Sequence, residues 1–148
     1  MTIQTLTNDD ALWLPLADFA DACSWPAGPV MAKQMRANAF LEWERVFAAV
    51  EDGRFAGFCN FTAHDCLPDE PYTPYIGYVF VDEAFRGQRI SEQMIQAVLA
   101  YAKTLGHDKV YLVSDHVGLY EKYGFVKIDE VPAPWDAARM ESIFVHAT

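Results

Sequence analysis

Between Tyr75 and Val113 the apolar residues change period twice, and that restricts the chain to few topologies. Tyr75 to Val81 is a run of aromatic and β-branched residues. From Gln88 onward the apolar positions are Ile90, Met94, Ala97 or Val98, Tyr101 and Leu105, near the helical period, ending at Gly106. Lys109 to Val113 is β-rich again. A strand, a helix and a second strand in this order call for a right-handed crossover between parallel strands. Directly before them, Arg45 to Glu51 and Arg54 to His64 are β-rich runs joined by Asp52-Gly53, a hairpin signal in which the glycine takes the positive φ of the turn. A sheet that holds both units is mixed.

The remaining elements fall around this centre. Thr2 to Leu6 alternates as a short strand, and Thr7-Asn8-Asp9-Asp10 offers oxygens to cap a helix. Leu12, Leu16, Phe19 and Cys23 share one face of that helix, whose start Pro15 delays or kinks. After the turn Trp25 to Pro29, Val30 to Trp43 reads as a second helix through Met31, Met35, Ala39 and Trp43. Leu67 to Pro74, with three prolines, is a loop. Val117 to Tyr123 reads as a short helix stopped by Gly124, Phe125 to Val131 as a strand, and Arg139 to His146 as the last strand after a Pro-Trp connection. The order is βααβββαβαββ. The expected fold is α+β, a mixed central sheet of about seven strands with helices on both faces, in one domain over residues 1–148.

Composition narrows the function. Apolar residues make up 52% of the chain and aromatics 14%, which excludes disorder and coiled coil. No apolar run approaches the roughly 18 residues that cross a bilayer, and no signal sequence is evident, so a soluble, cytoplasmic protein is expected. Cys23, Cys59 and Cys66 are odd in number and lack CxxC spacing, so they read as reduced packing residues. His64, His107, His116 and His146 show no metal-ligand spacing, and no metal is expected. The formal charge of −10 argues against nucleic acid or an anionic membrane as partner, and mildly for a cationic one. Trp13, Phe19, Trp25, Phe40 and Trp43 read as core rather than as a pocket. The GxSxG, GxxxxGK[ST] and HExxH patterns are absent, as is the dinucleotide fingerprint.

The chemistry-bearing stretch is Val81 to Ser91, from strand end to helix start. Ligands of open α/β sheets favour the carboxyl ends of strands where the connection style changes. A first helical turn has unpaired N–H groups and a positive dipole end, which suits a pyrophosphate, and Arg86 and Arg89 add cations.

Arg86-Gly87-Gln88-Arg89-Ile90-Ser91 resembles the coenzyme A pyrophosphate loop of the GNAT N-acetyltransferases, commonly Arg/Gln-x-x-Gly-x-Gly/Ala. Arg89 stands where the middle glycine is usual and Ser91 where glycine or alanine is usual. Backbone donors survive such replacement if φ stays negative. Leu119-Tyr120-Glu121-Lys122-Tyr123-Gly124-Phe125 resembles a second segment of that superfamily, hydrophobic-Tyr-Glu-Lys-x-Gly-Phe.

The resemblance implies acetyl-coenzyme A as cosubstrate and a small-molecule or peptide primary amine as acceptor. It implies that the Val79-Phe80-Val81 strand splays from the Lys109 strand. The pantetheine arm then pairs with main-chain groups of Phe80 and Val81, and the pyrophosphate lies over Arg86, Gly87, Gln88, Arg89, Ile90 and Ser91. Tyr120 becomes the acid that protonates the departing thiolate; a phenol near 10 is weaker than a thiol near 8.5 by an amount worth about 2 kcal/mol. The Tyr75 strand has no carboxylate, so the base is a water route or a residue outside it, with His116, Asp115 and His64 as candidates. A non-catalytic acyl-coenzyme A-binding or regulatory module and an enzyme for longer acyl groups are the rival readings. Monomer and homodimer both stay open.

Overall fold

The computed structural model describes residues 1–67 and 70–148. Its elements are β1 (Thr2–Leu6), α1 (Trp13–Ala22), α2 (Gly28–Arg36), β2 (Arg45–Glu51), β3 (Arg54–Thr62), β4 (Tyr75–Val81), α3 (Ile90–Thr104), β5 (Lys109–Ser114), β6 (Val126–Ala133) and β7 (Asp136–Ala147). One seven-stranded sheet runs β1-β2-β3-β4-β5-β7-β6. Every neighbouring pair is antiparallel except β4 and β5, the pair joined through α3.

Both faces of the sheet are covered, which explains why the strands read as near-continuous apolar runs. Val46 and Ala48 of β2, Phe58 of β3 and Phe80 of β4 meet α1 and α2 on one face. Phe47, Ala49, Cys59, Phe61, Ile76 and Leu112 meet α3 on the other. The α1/α2 pair is tight: a Cβ on Gly28 would lie 2.3 Å from the Ala20 carbonyl oxygen. Arg36 of α2 reaches back to Asp18 and Asp21 of α1 at 2.7 and 2.9 Å.

Several boundaries differ from the sequence expectation. The second helix stops at Arg36 instead of Trp43 because Asn38 turns left-handed (φ 50°), and the Ala39 N–H closes back on the Gln34 carbonyl at 3.0 Å. Trp43 is thereby freed to pack on Phe61 under α3, centroids 5.6 Å apart. The expected cap oxygens of residues 7–10 close a turn of their own, the Thr7 N–H donating to Asp10 Oδ2 at 2.7 Å, and α1 begins without a side-chain cap. The expected helix over 117–123 is a single 3-10 turn, Glu121–Tyr123, with Gly118 left-handed before it. β6 and β7 extend to a two-residue turn at Pro134-Trp135. Of the expected 67–74 loop, Pro68 and Asp69 lie outside the described residues; 70–74 contain neither helix nor strand.

The decisive local feature is in β4. Phe80 pairs with Phe58 and Gly77 with Asn60, so Tyr78 and Val79 together oppose the single residue Cys59. Tyr78 has φ 51°, a left-handed residue inside a strand. Such a bulge bends the strand that carries it. On its other edge β4 pairs with β5 only at Tyr75↔Tyr111 and Ile76↔Leu112, and from Gly77 onward the two strands part.

Candidate functional site

The parting of β4 and β5 opens two clefts that meet. One, of about 710 Å³, is bordered by Val79, Phe80 and Val81 of β4, the 85–91 connection, and Tyr120 with Tyr123. The other, of about 500 Å³, is bordered by Asp65, Gly77, Ser114, Asp115, Arg139 and Glu141. Trp25, Val79, His116 and Tyr120 line both, so they stand where the clefts join. Trp25, expected in the core, packs on it by stacking on Phe80, centroids 6.0 Å apart and planes 4° apart, and its half-buried side chain also lines both clefts.

The 86–91 loop exposes backbone donors. Among the described residues, none of the N–H groups from Gly87 to Glu92 donates to a protein acceptor. The first intrahelical acceptance is by the Arg89 carbonyl from Gln93, 3.2 Å. Gly87 and Arg89 are both left-handed, φ 83° and 58°. The condition of negative φ is not met at Arg89: the turn into α3 takes the conformation that glycine adopts most readily, Arg89 adopts it despite its Cβ, and the loop amides are nevertheless left without protein acceptors.

The side chains of this loop are less convergent than its amides. The Arg86 Nε donates to the Val81 carbonyl at 3.0 Å, and Arg89 is paired with Glu92. Gln88 is exposed and does not line the cleft; Ile90, the first residue of α3, is buried in the core and borders the cleft. Ser91 Oγ lies 2.9 Å from the Tyr123 hydroxyl.

Tyr120 is 6% exposed, and among the described residues its hydroxyl has no hydrogen-bond partner. Burial pushes it up to about 12, above the value near 10 expected from sequence, with the fields of Cys59, Tyr123 and Asp115 adding to the effect. Its proton is therefore held firmly at neutral pH.

Of the residues expected as bases, His116 stands at the junction of the clefts. Asp115 faces the second cleft but is paired with Arg139 at 2.6 Å, and His64 lines neither cleft. Sequence reasoning missed Asp65. This partly buried carboxyl arrives from the β3–β4 connection and faces β4 at Gly77, where a Cβ would lie 3.1 Å from Asp65 Oδ2 and 2.8 Å from Asn60 Oδ1. Gly77 thus leaves the space the carboxyl fills. Burial pushes Asp65 up to about 6, with Glu141 adding to the rise and the Cys66 N–H opposing it. Glu141, only 5% exposed, is also raised, first by burial and then by Asp115, against Arg139 and His116. The Cys66 thiol beside them is pushed up to about 12 by burial, so it is no thiolate nucleophile. Among the described residues no helix is long and apolar enough to cross a membrane.

The sequence profile described as the acetyltransferase (GNAT) family matches residues 11–125. No curated protein matches the sequence. Among solved structures, an aminoglycoside 6'-N-acetyltransferase from Enterococcus faecium superposes with TM-score 0.75 at 13% identity, over 99% of this chain and 97% of that one. A GNAT family N-acetyltransferase from Escherichia coli in complex with CoA gives 0.71 at 20%, over 99% and 80%. A GNAT family acetyltransferase from Elizabethkingia anophelis with acetyl-CoA bound gives 0.65 at 19%, over 99% and 97%. At these identities the likeness is one of fold.

Proposed function

The chain belongs to the acetyltransferase (GNAT) family, and on that premise we propose that it moves the acetyl group of acetyl-coenzyme A to a primary amine by direct attack on the thioester. The observation that carries this reading is the opening between β4 and β5 beyond Ile76, bordered by a run of amides without protein acceptors. An open strand edge suits an amide-bearing pantetheine arm at Phe80 and Val81, and the amides of 87–92 at the start of α3 suit a diphosphate. CoA and acetyl-CoA in two of the similar structures support the same cosubstrate. The aminoglycoside enzyme supports a small-molecule amine as acceptor.

Bound acetyl-coenzyme A supplies an activated acetyl group: the amine nitrogen bonds to its carbonyl carbon and the carbon–sulfur bond breaks, leaving a thiolate. An ammonium near pKa 10 must first lose a proton. Asp65 is the base in this scheme, since at about 6 it is ionised at neutral pH yet basic enough to take that proton, directly or through water. Tyr120, which lines both clefts, is the donor to the departing sulfur in this scheme. At about 12 it is a weaker acid than a thiol near 8.5 by an amount worth about 5 kcal/mol, so full transfer before the bond breaks is too costly. Tyr120 therefore acts as a hydrogen-bond donor to the developing thiolate, with the proton moving late and being restored from solvent. Trp25 on Phe80 walls the junction and limits water.

Acetyl-coenzyme A consumption with a panel of amines tests the reading. Turnover with at least one amine, giving an N-acetyl product by mass, is expected. Affinity for coenzyme A without turnover on any amine would refute it in favour of a binding module, and comparing acyl lengths in the same assay separates acetyl from longer donors.

A further inference from the structure

The second cleft carries more negative charge than acetyl transfer to one amine requires. Asp65, Asp115 and Glu141 face it, with His116 and the protonated Cys66 as neighbours, and the only guanidinium is that of Arg139. Arg139 is committed to Asp115 at 2.6 Å. Asp65 has its task as base. Glu141 is left over.

Glu141 is the unusual member. It is 5% exposed on β7, opposite Val131 of β6 and two residues from the fully buried Ile143, where an apolar residue would be the stabilising choice. Among the described residues it accepts no hydrogen bond and joins no ion pair within 4 Å, although it opens onto the cleft. Its oxygens reach the cleft and are not sealed from solvent, since the buried unpartnered side-chain atoms among the described residues are Asn60 Oδ1 and the Tyr75 hydroxyl; a nearly buried residue that presents an unpaired carboxylate to a cleft invites a cationic ligand. No three acidic, histidine or cysteine side chains come together as a metal cage among the described residues, so an extended organic cation suits this wall better than a metal ion.

We propose that Glu141 selects the acceptor by binding a second, protonated nitrogen of a diamine or polyamine, while the first nitrogen lies between Asp65 in the second cleft and Tyr120 at the junction. This rests on the acetyltransferase reading. The nitrogen that attacks must be neutral, so it cannot also neutralise Glu141; a substrate with one nitrogen leaves that carboxylate without a cation, whereas a substrate with two supplies one. The Asp115–Arg139 pair closes the cleft beside it and contributes little net charge.

The test compares straight-chain diamines of three to six carbons with the monoamines of the same length, on the unaltered protein and on Glu141→Gln. The expected result is a kcat/KM for the best diamine at least tenfold above that of its monoamine, carried by KM rather than kcat, as a charge-assisted hydrogen bond in a buried site gives. Glu141→Gln should collapse that ratio at least tenfold, and Glu141→Asp should restore part of it. A ratio near one in the unaltered protein, or a ratio that survives Glu141→Gln, overturns the proposal even if acetyl transfer is real. If no amine is turned over, the acetyltransferase reading fails by itself. Calorimetric binding of 1,5-diaminopentane against n-pentylamine to the coenzyme A-loaded protein then still decides: a preference lost in Glu141→Gln supports the diamine site, and equal binding overturns it.

Discussion

Asp65→Asn should move stability and turnover in opposite directions. The folded chain raises this carboxyl from its ordinary 3.8 to about 6, chiefly through burial. A raised acid favours folding while it is protonated, and that advantage is lost as pH climbs from the unfolded value through the folded one. At about 1.4 kcal/mol per pKa unit the full loss is about 3 kcal/mol, reached above about pH 6. Asparagine cannot ionise, keeps the shape of the neutral acid, and can still accept the Cys66 N–H. The variant should therefore be about 3 kcal/mol more stable than the unaltered protein at pH 8, equivalent to a melting point higher by roughly 6–12 °C, with less than about 1 kcal/mol left at pH 4. Urea titrations at the two pH values measure this. In parallel, kcat/KM at pH 8 should fall by about a hundredfold or more, and the rise of kcat/KM through about pH 6 should vanish from the profile. An Asp65→Asn protein that is destabilised equally at both pH values, or that keeps its acid limb, would refute both the raised carboxyl and its role as base.

Three further outcomes are expected. Tyr120→Phe removes one donor to a developing thiolate in a buried site, and kcat should drop tenfold to about a hundredfold with coenzyme A affinity little changed; single-turnover kinetics with unaltered rate would take Tyr120 out of the mechanism. Gly28→Ala drives a methyl to 2.3 Å from the Ala20 carbonyl and should cost about 1–3 kcal/mol in chemical denaturation by prising α2 from α1; an unchanged midpoint would mean that the helix pair yields without penalty. Adding coenzyme A should slow hydrogen exchange at the amides of 87–92 by far more than at Val110 and Leu112 of β5, and uniform or absent protection would show that the loop is not the diphosphate site.

Much of the architecture was legible because periodicity and turn chemistry are local. The strand over Tyr75–Val81, the hairpin at Asp52-Gly53 and the long helix from Ile90 follow from patterning and from one left-handed turn. The early end of α2 was harder: Ala39 and Trp43 keep the helical period, and only Asn38 hints at a left-handed stop that tertiary packing of Trp43 enforces. The 117–123 segment looks helical by composition, but Gly118 and the need to present Tyr120 to the clefts reduce it to one turn. The 86–91 loop could be read as a candidate anion site from its glycine and arginines, whereas its left-handed Arg89 could not, because the conformation is set by the join between two elements. Asp65 and Glu141 were invisible for a different reason. They are 76 positions apart in the sequence and neither belongs to a motif; strand order alone brings them to one cavity. A residue at β4 with no side chain, Gly77, was the one available hint that something from elsewhere fills the space.

Because β4 and β5 are fastened by only two residue pairs at one end, the sheet behaves as two wings on a clasp. Whatever slides into the seam becomes its mortar, and the wings gain rigidity from a molecule they must later let go. In the proposed reaction the seam must empty before each new cycle, so substitutions that stiffen the clasp at Tyr75, which lines neither cleft, should slow product release in pre-steady-state kinetics.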